Sequence, residues 1–264
     1  MTTLKKIPDD ILNYLNDFVD IKDKVNLFYS KKNNQELIEI CYIRRIIKNY
    51  KNLSDEILQQ NIFDGLIEIN IHYNPKITNL NRFSETLQII GISGYDCRVD
   101  DNGIKDCLKL TSINVSNNPK IKDLNKFHKT LQVINISGCC SVDDNGIKDC
   151  LKLIEIKAYG STKIKNLNRF SQTLEVININ WCCDVGDDGI KDCLKLIEIN
   201  ANNNSKIKNL NKFYQTLEII YIGGFDCGVD DNGIKNCLKL TKISANNNPK
   251  RKDLSKFYQT LKNY

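Results

Sequence analysis

Residues 131–153 read LQVINISGCCSVDDNGIKDCLKL, and this stretch returns almost letter for letter from Leu87, Leu174 and Leu217. A second phrase alternates with it. LTSINVSNNPKIKDLNKFHKT at residues 110–130 returns from Leu153, Leu196 and Leu240, and more loosely from Leu66. Leucine thus opens a unit at 66, 87, 110, 131, 153, 174, 196, 217, 240 and 261, in steps of 21 to 23 residues. A period of this length belongs to arrays in which each unit is stacked on the one before, so the 264 residues need no single central core.

Inside a unit the apolar positions alternate, as in Leu131, Ile134 and Ile136, or Leu110, Ile113 and Val115. That is the pattern of a short strand with one buried face, and parallel strands stack about 4.8 Å apart. The chain then leaves the strand through a tight turn whose backbone groups need partners. Asn74, Asn118, Asn204 and Asn248 stand where a side-chain amide can supply them. By simple counting, Cys139 and Cys182 fill the same place as small buried groups, and Tyr95 and Phe225 take it in the 23-residue copies, where an extra residue bulges the turn. Further on, the carboxylates of Val142-Asp143-Asp144-Asn145-Gly146-Ile147 predict the cap of a short helix over residues 146–151. Ile121, Leu124 and Phe127 pack beneath the alternate phrase, and Lys105, Lys109, Lys148 and Lys152 point outward.

The form L-x-x-L-x-L-x-x-N/C resembles the leucine-rich repeat, over nine full repeats and a stub from residue 66 to 264. The longer phrase, with its Cys-Cys and Cys-Leu, is similar to the cysteine-containing subtype. The resemblance implies an α/β solenoid, with parallel strands on the concave face and short helices on the convex face.

Eleven cysteines invite a disulfide or metal reading, which spacing opposes. Cys107, Cys150, Cys193 and Cys237 recur every 43 or 44 residues, as do Cys97, Cys140, Cys183 and Cys227. Equivalent thiols are therefore two strands apart, about 9–10 Å, whereas a disulfide needs Cα atoms within about 7 Å. There is no C-x-x-C pair, and His72 and His128 are the two histidines, so buried reduced thiols and no metal are expected. The aspartate pairs lack the spacing of a calcium loop. No recognisable nucleophile–base motif, phosphate loop or dinucleotide fingerprint occurs, so the sequence points away from an enzyme and implies no cofactor.

Composition sets outer bounds. Hydrophobic residues at 41% and charged residues at 27% suit a packed protein, and the net charge of +6 suits a lysine-rich solvated surface rather than a nucleic-acid ligand. No apolar run approaches the ~18–20 residues that span a bilayer. The opening MTTLKKIPDDILNYL has no long apolar stretch behind its lysines, so neither a secretory leader nor a membrane partner is expected. A cytoplasmic or nuclear monomer is the expectation.

The first 64 residues are written differently. Ile7, Ile11, Leu12, Leu15, Phe18 and Val19 form a helical apolar stripe, with Pro8 at a first-turn position. Asp20 or Asp23 can cap a second helix carrying Val25 and Phe28, and residues 35–50 predict a third, with Leu37, Ile40, Ile43, Ile46 and Ile47. Ser54, with Asp55 and Glu56, reads as the cap of a short fourth helix. Three short helices bury too little surface to stand alone and need the repeats or a partner. Residues 7–34 resemble an F-box, the module that docks adaptors on the Skp subunit of cullin–RING ubiquitin ligases. Ile7-Pro8-Asp9-Asp10-Ile11-Leu12 matches Leu-Pro-x-Glu-Leu-Leu, Leu15 matches the apolar residue that follows, and Phe18-Val19-Asp20 matches Phe-Leu-Asp. Lys24 replaces the usual Leu, Ser30-Lys31-Lys32 replaces Val-Cys-Lys, and Asn34 replaces Trp.

The division read from these features is an F-box-like helical segment at 1–48, a helical linker or N-terminal cap at 49–64, and the solenoid at 65–264. As a whole the chain resembles F-box/leucine-rich-repeat proteins of giant amoeba-infecting DNA viruses. That resemblance implies a substrate-recognition adaptor, with Ile7, Pro8, Ile11, Leu12 and Leu15 meeting a Skp-type subunit of a cullin complex. A helical cap on an interaction scaffold, with no ligase role, is the alternative. The protein substrate is unnamed by the sequence. Its expected site is the concave face, at the aromatics Tyr159, Trp181 and Tyr221 with Glu155, Lys157 and Glu198 around them. Val133, Asn135 and Ser137 are further outward-facing positions that vary between copies.

Overall fold

In a computed structural model of the chain, the described residues are 46–48, 53–59, 63–181, 183–252 and 257. They hold one parallel sheet of ten three-residue strands whose order in space is their order in sequence. The strands are β1 (Ile46–Lys48), β2 (Glu68–Asn70), β3 (Ile89–Gly91), β4 (Ser112–Asn114), β5 (Val133–Asn135), β6 (Glu155–Lys157), β7 (Val176–Asn178), β8 (Glu198–Asn200), β9 (Ile219–Tyr221) and β10 (Lys242–Ser244). An isoleucine stands at the centre of every strand, and these isoleucines are in register from Ile47 to Ile243. From Ile69 to Ile220 they are buried. β-Branched residues suit such a pleated, half-covered surface.

β1 corrects one expectation. The sequence places residues 46–48 near the end of a helix over 35–50, yet they pair in parallel with β2. The helical spacing of Ile43, Ile46 and Ile47 is equally consistent with a strand that carries isoleucine at its centre, and an adjacent strand edge settles the matter. The helix capped by Ser54 does form, as α1 (Asp55–Leu58), with the Ser54 hydroxyl accepting from the Ile57 N–H at 3.4 Å. Leu53, Leu58 and Phe63 join the core cluster of the repeats.

The outer side is made of tighter pieces than expected. In place of a helix over 146–151 there is one 3-10 turn, Asn145–Ile147, and most other rungs repeat that form. A rung here runs from one strand-opening leucine to the next, the longer phrase giving a long rung and the alternate phrase a short one. The long rung at 174–195 has a four-residue α-helix, α2 (Asp187–Ile190). Glycine explains the tightness. A Cβ on Gly146 would lie 2.2 Å from the Lys122 carbonyl oxygen, and Gly103, Gly189 and Gly233 sit equally close to the rung before them. Asp143 does cap its turn, accepting from the Gly146 N–H at 2.9 Å. Asp144 does something different, its carboxylate accepting from the Lys165 and Asn166 N–H groups of the next rung. Asp55, Asp101, Asp187 and Asp231 do the same for their neighbours.

The buried asparagines form the expected ladder. The Asn118 amide donates to Ile92 O at 2.9 Å and Val99 O at 3.1 Å, and its oxygen accepts from the Lys120 N–H at 3.0 Å. Asn204 and Asn248 repeat that set, and Asn74 donates to Leu53 O. The long rungs differ from the count-based reading. Cys139 is exposed, and so are Tyr95 and Phe225; the buried residue is the cysteine that follows, Cys140, Cys97 or Cys227. The additional residues of the long rungs bulge outward, so the ladder position falls one or two places later than the leucine count indicates. Cys227 partly does the work of an amide, its thiol donating to Ala201 O at 3.7 Å. A second rung-to-rung staple is absent from the sequence-based expectations. Asn81, Asn125, Asn168 and Asn211 each donate to a carbonyl of the following 3-10 turn or helix and accept an N–H from just beyond it.

The ladder lapses at one short rung. Ser161 stands where Asn118 and Asn204 stand, is 1% exposed, and its hydroxyl has no hydrogen-bond partner. Asn118→Ala should leave two buried carbonyls and an N–H unpaired and cost about 3 kcal/mol. Ser161→Asn should restore two such bonds and gain about 1 kcal/mol. Denaturant midpoints of the two variants against the unaltered chain check both signs.

Four further buried thiols lie against carbonyls. Cys107, Cys150, Cys193 and Cys237 donate to Leu80, Leu124, Leu167 and Leu210 O at 3.3–3.4 Å. Burial pushes the thiols of Cys107, Cys150 and Cys193 up to about 12, and those of Cys140, Cys183 and Cys237 up to about 11. The unfolded chain sheds these protons first, near the ordinary thiol value of 9.0. Folding free energy from these groups is therefore intact below about pH 9 and declines as pH rises toward 12. Urea unfolding between pH 8 and 11 should show that decline, and serine at Cys150 and Cys193 should flatten it.

Candidate functional site on the sheet face

Because neighbouring strands are in register, side chains of one strand position form columns across the rungs. The first outward column runs Glu68, Ile89, Ser112, Val133, Glu155, Val176, Glu198, Ile219 and Lys242. The second contains Asn70, Asn114, Asn135, Asn178 and Asn200, interrupted by Gly91, Lys157 and Tyr221. The amide oxygens of Asn114, Asn135, Asn178 and Asn200 accept the N–H two residues on, at 3.1–3.4 Å. Each so closes its own strand end.

The six residues expected to meet a substrate fall together on four consecutive rungs, β6 to β9, a breadth of about 14 Å. Glu155 and Lys157 face the same side of β6 and form an ion pair at 2.7 Å. Glu198 lies two rungs from Glu155, with Val176 between them in register. Tyr221 is held by Lys242, whose ammonium donates to the phenol oxygen at 2.9 Å and lies 5.0 Å from the ring centroid. Tyr159 and Trp181 stand further out, 40% and 57% exposed. Val133 and Asn135 are half-buried on the sheet face, but Ser137 is fully buried, its hydroxyl unpartnered, and it offers nothing to a ligand.

Trp181 occupies an unusual backbone position. Every rung from Tyr73 to Asn247 turns out of its strand on a residue of positive φ. Glycine or asparagine fills that place at 94, 117, 138, 160, 203, 224 and 247, as the left-handed region favours. The exceptions are Tyr73, at φ 54°, and Trp181, at φ 49°. Tyr73 has a packing reason: a Cβ on Gly94 would lie 2.5 Å from its ring, so the ring rests on the next rung's glycine. The rung after Trp181 carries Asn203 instead. Trp181 thus combines an unfavourable conformation with more than half its surface in water, an exposure close to that of Tyr73. The aligned glycine–asparagine column at these positions is a sequence signal that would have marked it.

The opposite end of the sheet face carries a Ser–His contact. Ser93 Oγ and His72 Nδ1 hydrogen-bond across neighbouring rungs, and burial lowers the His72 pKa. Among the described residues no carboxylate hydrogen-bonds the other ring nitrogen, and no group of His, Cys, Asp and Glu could hold a metal ion. The F-box-like positions Ile7, Pro8, Ile11, Leu12 and Leu15 lie outside the described residues. No described helix is long and apolar enough to cross a membrane.

The sequence matches no protein-family model and no curated protein. Solved structures do match. The internalin InlF from Listeria monocytogenes is similar at 15% identity over 86% of this chain and 74% of that one, with a TM-score of 0.57. The functional domain of InlJ from Listeria monocytogenes, which includes a cysteine ladder, is similar at 16% identity over 84% of this chain and 57% of that one, TM-score 0.47. A chain of the yeast Rad7–Elc1 complex is similar at 14% identity over 94% of this chain and 89% of that one, TM-score 0.48. At such identities the likeness is one of architecture, and the match to InlF together with the ten-strand parallel ladder makes this chain an α/β leucine-rich-repeat solenoid.

Proposed function

We propose that the protein is a non-catalytic interaction adaptor: its sheet face holds a protein substrate, and its F-box-like residues 7–34 dock on a Skp-type subunit of a cullin–RING ubiquitin ligase. The observation that carries the substrate half is Trp181, exposed and in the left-handed conformation, beside exposed Tyr159 on the same four rungs as Glu155, Lys157, Glu198 and Tyr221. Strain of about 1–3 kcal/mol at a surface residue calls for a use outside folding. Exposed aromatics amid small polar neighbours make good binding anchors. The ligase half rests on the F-box resemblance of residues 7–34. The place of action would be the cytoplasm or nucleus, of a host cell if the chain is viral.

A second reading, an interaction scaffold with an N-terminal helical cap and no ligase role, draws on β1. That strand carries the parallel ladder back into the N-terminal segment.

Affinity capture of the full chain separates the two. Skp and cullin should be recovered together with it, and the pair Pro8→Ala and Leu12→Ala should abolish their recovery without changing the melting of the solenoid. Absence of Skp from captures in which a known F-box protein recovers it would leave the scaffold reading. The substrate half has its own check. Trp181→Asn should stabilise the chain by about 1 kcal/mol, because asparagine tolerates positive φ, while reducing proximity labelling of sheet-face partners. Destabilisation by this change would show that the ring serves the fold.

A further inference from the structure

The turns that lead into the strands carry a pattern that the sheet-face reading leaves unused. Leu108, Leu151, Leu194 and Leu238 recur at one place in every long rung, and each is 54–61% exposed. The core does not need them, since the adjoining Cys107, Cys150, Cys193 and Cys237 already fill the interior. They line up along the array. The threonines of the intervening short rungs, Thr130, Thr173 and Thr216, donate to the carbonyls of Leu108, Leu151 and Leu194 at 3.2 Å. From Leu108 to Leu238 is six rungs, about 29 Å.

A row of cations runs beside the leucines. Five residues before the strand-opening leucines at 110, 131, 153, 174, 196 and 217 stands an exposed lysine or arginine: Lys105, Lys126, Lys148, Arg169, Lys191 and Lys212. A second lysine follows each exposed leucine, at 109, 152, 195 and 239. Carboxylates are present but fewer: Asp106, Asp149 and Asp192 in the long rungs, and Glu85, which pairs with Lys109 at 3.1 Å.

We propose that this strip is a docking surface for an anionic lipid membrane. Separate leucines would enter the boundary between headgroups and acyl chains. The flanking lysines, with their flexible apolar stems, would reach lipid phosphates and carboxylates. A nucleic acid would satisfy the cations but leave the leucines in water. An amphipathic helix needs a continuous apolar groove, whereas here exposed Lys129, Gln172 and Gln215 separate one leucine from the next. A bilayer is the partner that accepts isolated apolar points in a cationic field. Docking this strip leaves the sheet face open.

The test is co-sedimentation of the full chain with phosphatidylcholine vesicles, with and without about one-third phosphatidylserine. Binding is expected with the anionic vesicles only, and should weaken about tenfold or more between low and high salt. The pair Leu151→Ser and Leu194→Ser should weaken it by about tenfold or more, as should Lys148→Glu with Lys191→Glu, while Trp181→Ala leaves it unchanged. Circular dichroism melts confirm that the variants fold. Hydrogen exchange of the unaltered chain with vesicles should protect residues 105–109 and 148–152 as a reading independent of any variant. No sedimentation with anionic vesicles overturns the proposal. So does binding that ignores the leucine substitutions, since general attraction to polyanions would then suffice.

Discussion

Backbone groups at the exit from each strand have to be satisfied inside the protein, away from water, and the structure depends on how that is done. Three residues of strand are too few to satisfy a rung by themselves. The chain then turns on a residue of positive φ and leaves carbonyls such as Ile92 O and Val99 O facing inward. The group that pairs with them belongs to the next rung, the amide of Asn118. Satisfaction therefore does not close within one unit; a rung that carries the amide completes the one before it. Stability in such an array is a chain of neighbour terms, and its weakest junction sets where it opens first. Ser161, a hydroxyl where the other short rungs have amides, is such a junction, and it lies two residues from Tyr159.

Much of this was legible because the period is short and the buried positions are chemically distinctive. Leucine spacing marks the rungs, the isoleucine columns mark the sheet, and Asn74, Asn118, Asn204 and Asn248 announce the ladder. Errors arise where identity of letters has to be turned into identity of place. Counting from Leu131 puts Cys139 in the ladder, but the extra residue of a long rung bulges outward and Cys140 takes the buried place. Counting also makes Ser137 outward, although neighbouring rungs cover it completely. The rung begun by β1 escapes notice for the opposite reason. It shares few letters with the others, yet Asp55 binds Thr78 and Asn79 N–H as Asp144 binds Lys165 and Asn166. Its role is set by contact with the next rung, which a periodicity search cannot see.

The candidate site shows the same division. Strand position identifies Glu155, Lys157, Glu198 and Tyr221 as neighbours, since register follows from the repeat. Which of them stand free is a matter of pairing: Lys157 is engaged by Glu155, and Tyr221 by Lys242, while Tyr159 and Trp181 project into solvent. The backbone conformation of Trp181 adds a physical cost to what is otherwise only an exposed ring. The leucine strip is hidden at the level of sequence because a leucine beside a cysteine in a repeat reads as core, and only three-dimensional packing reveals which of the two is inside.

The two kinds of junction are not interchangeable, and this limits how such a chain lengthens. A short rung grips the following long rung through Asn125 and its equivalents, and a long rung grips the following short one through Asp144 and its equivalents. Duplicating a single rung would set two of a kind side by side, with Asn125 facing a turn that lacks the close-packed glycine of Asn145–Ile147, or Asp144 facing another long rung in place of the Lys165 and Asn166 N–H pair. Duplicating a long–short couple leaves every junction as it was. The 43- or 44-residue recurrence of the cysteines records that rule: the heritable unit of this array is the couple, and growth or loss by whole couples preserves its junctions.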